Sequence, residues 1–238
     1  MPAEFFYTDR AALLENLRAA LCAQLQHSLQ NAPRTTLFLS GGDSPGPLYR
    51  ALAATALPWE RIDVALVDER WVPETHEASN ARLVRETLLH SQAAASRFTG
   101  MKVAHELKGT EEEVAVAECN RAYKALAQPW SAAVLGMGPD GHTASLFPHA
   151  EGLQNILESN KNCAAVHAPA GGAAGEFTSR MTMTPHALLQ CEQLFLLITG
   201  RDKRILYEKA RATQDQASLP ISIFLQQSAV PLTVYWSP

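Results

Sequence analysis

Apolar residues along this chain follow two rhythms. Leu13, Leu17, Leu21 and Leu25, joined by Leu14, recur at helical spacing and predict a helix with one buried stripe, capped by Thr8. After Pro33 the pattern changes to short unbroken apolar runs, the form taken by strands buried on both faces. TTLFL (35–39), IDVALVD (62–68), SAAVLGM (131–137), CAAVHAP (163–169), LFLLIT (194–199) and LTVYW (232–236) read this way, and RMTMT (180–184) is extended. Helical patterns lie between them. PLYRALAAT (47–55) is one, and the segment carrying Leu83, Val84, Leu88 and Leu89 is another, with Ser79 as its cap. TEEE (110–113) reads as a capping box, Thr110 at the cap and Glu113 reaching back, opening a helix to about Ala127. Thr184-Pro185 starts a short helix, GRDKRILYEKA (200–210) a longer one, and ISIFLQQ (221–227) a last one.

Strands alternating with helices predict an α/β fold, a mostly parallel sheet with helices on both faces. No internal repeat, charge block or long linker divides the chain, so residues 1–238 are expected to form a single domain. In such folds ligands sit beyond the carboxyl ends of the strands. Three polar loops follow strands here, SGGDSPG (40–46), DERWVP (68–73) and GMGPDGH (136–142), and all three belong on one rim.

Composition narrows the classes. A hydrophobic fraction of 47% with 18% charged residues fits a globular chain with a substantial core. The net charge of −4 gives no electrostatic case for nucleic acid or an acidic membrane, so any basic site must be local. Cys22, Cys119, Cys163 and Cys191 are widely spaced, which fits reduced thiols and a cytoplasmic protein. The opening MPAEFFYTDR lacks a signal-peptide pattern, and no run approaches the roughly 20 apolar residues of a membrane span. The histidines show no metal-ligand spacing, and no G-x-S-x-G elbow occurs, which points to a metal-free reaction with water as nucleophile.

Each rim loop has a chemical and a plainer reading. Glycines in SGGDSPG let the backbone approach a ligand, and free N–H groups before a helix favour an anion; the plainer reading is a tight turn. Ser40 and Ser44 add hydroxyls, whereas Asp43 would repel a phosphate and is expected to point away. In DER, alternation places Asp68 and Arg70 on one side and Glu69 on the other, either as a surface ion pair or with Arg70 ready for a substrate oxygen. Gly136, Gly138 and Gly141 spell G-x-G-x-x-G, yet the triplet lies past the midpoint of the chain and at least two strands precede it. An acid at the right distance, Glu158, sits in helical LQNILESN. The stronger reading is a turn that presents Asp140 and His142, with the histidine as general base; a helix-capping histidine is the plainer one. Arg180 and Lys203 add cations, and a lysine in a helix's first turn opposes the dipole unless an anion faces it.

Taken together, LFLSGGDSPGPLYRAL, VDERWVPETHEASN, LGMGPDGHTASLFP, RMTMT and the Gly200-to-Lys203 segment resemble the 6-phosphogluconolactonases, in that family's order from residue 37 onward. The resemblance implies a Rossmann-like fold similar to glucosamine-6-phosphate deaminase, binding no dinucleotide. It implies hydrolysis of 6-phospho-D-glucono-1,5-lactone without metal or cofactor, with His142 as general base. Arg70 or glycine-loop N–H groups would stabilise the oxyanion, and Asp68 and Asp140 would orient these groups, their partners left open. Ser40, Gly41, Gly42, Ser44 and Gly138 would bind substrate, with Arg180 and Lys203 completing a phosphate pocket. Family members often have Ser-Thr where this chain has Asp43-Ser44, and the glycine-rich AGGAAGEFTS (170–179) replaces a more proline-rich stretch. Rival readings are a glucosamine-6-phosphate deaminase, whose F-N-E-P-like acid is absent from Thr143–Pro148, and a non-catalytic sugar-phosphate sensor. The sole partner implied is a small sugar-phosphate lactone; the oligomeric state is open, a monomer included.

Overall fold

The computed structural model describes residues 2–101 and 110–238. The chain runs β1 (Ala3–Phe6), α1 (Arg10–Asn31), β2 (Thr35–Leu39), α2 (Gly46–Ala53), β3 (Ile62–Leu66), β4 (Asp68–Arg70), α3 (Asn80–Thr87) and β5 (Arg97–Thr99). It continues through α4 (Thr110–Lys124), β6 (Trp130–Gly136), α5 (Leu153–Leu157), β7 (Cys163–His167), β8 (Ser179–Met183) and α6 (Pro185–Leu188). β9 (Gln193–Thr199), α7 (Arg201–Ala212), α8 (Ser222–Gln226) and β10 (Leu232–Ser237) complete it.

The leucine stripe of α1 does what its spacing requires: Leu13, Leu17, Leu21 and Leu25 are fully buried, and the helix packs on β2, β6 and β10. Its cap is Asp9 rather than Thr8; the Asp9 carboxylate accepts the Ala12 N–H at 2.8 Å. Aspartate one residue nearer supplies the acceptor, and the threonine is not needed. Ser79 and Thr184 cap α3 and α6 as expected. Thr110 is already helical in α4, which ends at Lys124; the residues that would precede a capping box there, 102–109, lie outside the described residues.

A seven-stranded sheet has the order β1-β10-β9-β6-β2-β3-β5, every neighbouring pair parallel. From β2 the chain steps outward to β3 and β5, then returns to lay β6 on the other side of β2 before continuing to β9 and β10. Right-handed crossovers in opposite directions place their helices on opposite faces. Accordingly α1 packs on α2 and α2 on α3, while α7 packs on α8. β2, β3 and nearly all of β6 are buried, which explains their continuous apolar sequences. The reversal between β2 and β6 leaves a crevice at their carboxyl ends, where the two helix layers diverge.

CAAVHAP and RMTMT do not enter this sheet. β7 and β8 form a separate antiparallel sheet, order β4-β8-β7. The transfer occurs at Val67, whose N–H still bonds Leu39 O at 2.9 Å while its carbonyl accepts the Met183 N–H at 2.8 Å. The single run IDVALVD is therefore two strands, the second in another sheet. Among the described residues no helix is long and apolar enough to cross a membrane.

Candidate active site

β2 delivers Ser40, Gly41, Gly42, Asp43 and Ser44 to the crevice, and α2 starts directly behind them. Among the described residues the backbone N–H groups of Gly41, Gly42, Asp43 and Ser44 have no protein acceptor. Gly42 sits at φ +93°, a conformation only glycine takes without strain, and this turns the chain into the helix. Tyr49 ties the loop from below, its hydroxyl donating to Ser40 O at 2.7 Å. The result is a row of free donors at a helix N-terminus, the electrostatics of an anion site.

The loop after β6 is built in the opposite way. Gly138 N–H donates to His142 O at 2.9 Å, Gly141 N–H to Gly138 O at 3.1 Å, and Thr143 Oγ1 to Gly136 O at 2.8 Å. The imidazole lies on Gly138, where an added Cβ would come within 2.1 Å of the ring. Gly141 takes φ +85°. The glycine triplet opens no helix, since α5 starts only at Leu153, so the geometry of a dinucleotide fingerprint is missing. What the turn holds is a dyad: His142 Nδ1 is 2.5 Å from Asp140 Oδ1. Burial raises the Asp140 carboxyl, but the imidazole and the His142 N–H outweigh it and hold the group below its ordinary 3.8. An ionised carboxylate only accepts, so Nδ1 carries the proton and Nε2 of the neutral ring keeps its lone pair. Phe147 packs beside the imidazole, ring centroids 4.2 Å apart.

The third wall comes from β4 and β8. Asp68 and Arg70 face the cleft while Glu69 turns inward, as alternation requires. Glu69 is buried and accepts from the N–H groups of Arg70, Asn80 and Ala81 and from Ser79 Oγ, pinning the start of α3 to the strand. Burial raises its carboxyl against these bonds. Among the described residues Asp68 makes no hydrogen bond to Asp140 or His142. Its Oδ2 accepts Ser145 Oγ at 2.6 Å and its Oδ1 accepts Asn80 Nδ2 at 3.2 Å, joining three segments. The open pairing is thereby resolved in geometry, with Asp140 on His142 and Asp68 on Ser145 and Asn80. Arg70 is the register partner of Arg180 on β8. Arg70 Nη1 donates to Ala78 O at 2.6 Å, and its Nε is buried without an acceptor. Arg180, 5% exposed, gives Nε to Phe177 O and Nη2 to Ala174 O, and its guanidinium lies 5.5 Å from the Phe147 ring centre. Burial, with Arg70 opposite, pushes Arg180 down to about 10 despite the nearby Asp68.

Lys203, in the first turn of α7, reaches the same cleft. Burial lowers its ammonium from 10.5, while Asp140 and Asp43 act to raise it. Asp43 is not turned away as expected; it lines the cleft, as Lys203 does. The cleft encloses ≈ 360 Å³, and Ser40, Gly41, Gly42, Ser44, Asp68, Arg70, Gly138, His142, Arg180 and Lys203 all line it. Asp140 stands directly behind His142. Among the described residues no three His, Cys, Asp or Glu side chains converge as a metal cluster. Asn80 entered the sequence pattern only as half of the Ser79-Asn80 pair that closes VDERWVPETHEASN, with no role attached, and Ser145 and Phe147 only by their place within LGMGPDGHTASLFP.

Residues 8–236 match the family model for glucosamine-6-phosphate isomerases/6-phosphogluconolactonase. The chain belongs to that family. It is 36% identical over 232 residues to the 6-phosphogluconolactonase of Rhizobium meliloti (strain 1021), covering 98% of this chain and 97% of that one. The crystal structure of a 6-phosphogluconolactonase from Shewanella baltica OS155 superposes with a TM-score of 0.91 at 30% identity, covering 100% and 98% of the two chains. A monomeric glucosamine-6-phosphate deaminase shares the fold, with a TM-score of 0.76 at 17% identity over 99% of this chain and 97% of that one. Within this family's fold the cleft lies at the strand-order reversal, between the loop of free donors and the loop holding the histidine.

Proposed function

We propose that this protein is a 6-phosphogluconolactonase, hydrolysing 6-phospho-D-glucono-1,5-lactone to 6-phosphogluconate in the oxidative pentose phosphate pathway. Residues 1–238 act as one catalytic unit in the cytoplasm. The observation that carries the reading is a carboxylate-backed histidine in the same ≈ 360 Å³ cleft as an unfilled row of backbone donors. The Rhizobium meliloti and Shewanella baltica proteins named above are 6-phosphogluconolactonases, which supports the reading.

The substrate phosphate lies on Gly41, Gly42 and Ser44, with Ser40 beneath and Lys203 and Arg180 alongside. This places the lactone carbonyl toward His142. Nε2 takes a proton from water as its oxygen bonds to C1, and Asp140 steadies the imidazolium. The oxyanion that forms is met by Arg70, since the Gly138 and Gly141 N–H groups are already bonded inside their loop. Collapse breaks the bond from C1 to the ring oxygen, which receives the proton from Nε2. Water has been added across the ester bond, and no metal or cofactor is required. Asp68 keeps the Arg70 strand, Ser145 and Asn80 in register.

The test is hydrolysis of phosphorylated and plain gluconolactone side by side, with spontaneous opening subtracted. Strong catalysis of the phosphorylated lactone alone is expected. A rate no faster than spontaneous opening, with ammonia released from glucosamine-6-phosphate instead, would transfer the protein to the deaminase reading.

A further inference from the structure

Two walls of the cleft, the loop after β2 and strand β4, are touched by one side chain. Asn80, the first residue of α3, is 1% exposed. Its Nδ2 donates to Asp68 O at 2.8 Å and to Asp68 Oδ1 at 3.2 Å. The amide can face only this way, because exchanging oxygen and nitrogen would set an acceptor against two acceptors. Its other face lies against Gly41, where an added Cβ would fall 1.7 Å from Asn80 Oδ1 and 2.2 Å from Cγ. That Oδ1 is buried and has no hydrogen-bond partner among the described residues. The amide therefore fixes how closely the loop after β2 can approach α3. Glu69 makes the anchor rigid by accepting the Asn80 N–H at 2.7 Å and the Ala81 N–H at 2.8 Å.

We propose that Asn80 is the positioning residue that sets the distance between the anion-binding loop and the Asp68–Arg70 wall, and so determines selection for phosphorylated over plain lactone. The kinetic consequence rests on the lactonase reading; the binding consequence does not. A rigid spacer makes phosphate binding and carbonyl placement one event. If the spacer is lost, the phosphate end no longer aims the carbonyl end.

The experiment combines Gly41→Ala, Asn80→Ala and the double variant in the full chain. Calorimetry measures the binding of inorganic phosphate, and kinetics compares kcat/KM for phosphorylated and plain gluconolactone. Gly41→Ala drives a methyl into the Asn80 amide and should weaken phosphate binding and cut the selectivity ratio by about tenfold or more. Asn80→Ala should also lower that ratio, mainly through the phosphorylated substrate. In the double variant the new methyl occupies the space left by the amide, so part of the Gly41→Ala loss should return. Asn80→Ala with a lowered Tm but wild-type selectivity and phosphate affinity would overturn the proposal, leaving only a packing role. Losses that simply add in the double variant would overturn it as well. Should Asn80→Ala not fold, Gly41→Ala decides: wild-type phosphate affinity there refutes the spacer. Coupled losses in phosphate binding without any lactone hydrolysis would uphold the spacer and refute the lactonase reading.

Discussion

Two glycine-rich loops leave neighbouring strands of one sheet and use glycine for opposite purposes. The loop after β2 leaves the N–H groups of Gly41 to Ser44 without an acceptor among the described residues. The loop after β6 bonds Gly138 and Gly141 within itself and closes on the His142 ring. In the first, missing side chains let a ligand approach the backbone. In the second, they let the protein's own imidazole approach the backbone. An open loop suits an anion that comes and goes, whereas a saturated loop suits a base that must not move. A shared composition therefore says little about a shared role; the fate of the N–H groups decides it.

That contrast can be broken at either loop. The largest effect is expected from His142→Ala, which should lower kcat for the phosphorylated lactone by about 10²–10⁴-fold while inorganic phosphate binds as before. Steady-state kinetics with calorimetry checks both halves, and activity within a few-fold of wild type would remove the general base from the scheme. Next comes Gly138→Ala, whose methyl would meet the ring at 2.1 Å. Displacing the imidazole should reduce kcat by about 100-fold with KM little changed. Gly42→Ala addresses the other loop through its φ of +93°. Strain of about 1–3 kcal/mol should appear as a several-fold rise in KM and weaker phosphate binding, with kcat preserved. Equal kcat and KM effects in the two glycine variants would erase the distinction between the loops.

The smallest effect concerns Lys203. Its folded pKa lies below the ordinary 10.5 because of burial, opposed by Asp140 and Asp43. Between those two values the unfolded chain binds more protons, so wild-type stability rises as pH climbs through the folded pKa toward 10.5. Lys203→Met removes the buried charge. Its Tm should exceed wild type near neutral pH, with the gain shrinking toward pH 10.5, while phosphate binding falls. A variant that is less stable at neutral pH would mean that the ammonium is not held at a cost.

Much of this was legible in the residues. The α1 stripe, the buried runs of β2, β3, β6 and β9, and the caps at Ser79 and Thr184 are local patterns that the tertiary structure merely uses. The three rim loops do converge, because parallel strands send their carboxyl ends to one side. Other features were not readable. β1 is an edge strand with mostly exposed side chains, and β5 has three residues, so neither carries a buried run. Asp43 shares the cleft with Lys203, which lies far along the chain. Asn80 looked like the residue after a cap, and its contact with Gly41 depends on how α3 meets the loop.

By itself, then, the sequence determined most of the helices and the buried strands, which loops are rich in donors, and which histidine sits beside a carboxylate. Those properties depend on neighbours a few residues apart. The tertiary structure alone decided that the chain divides at Val67 between two sheets, that Arg70 faces Arg180, and that Asp68 serves Ser145 and Asn80 while Asp140 serves His142. Pairing across a sheet and hydrogen bonds between loops join residues distant in sequence, and no local periodicity encodes their partners.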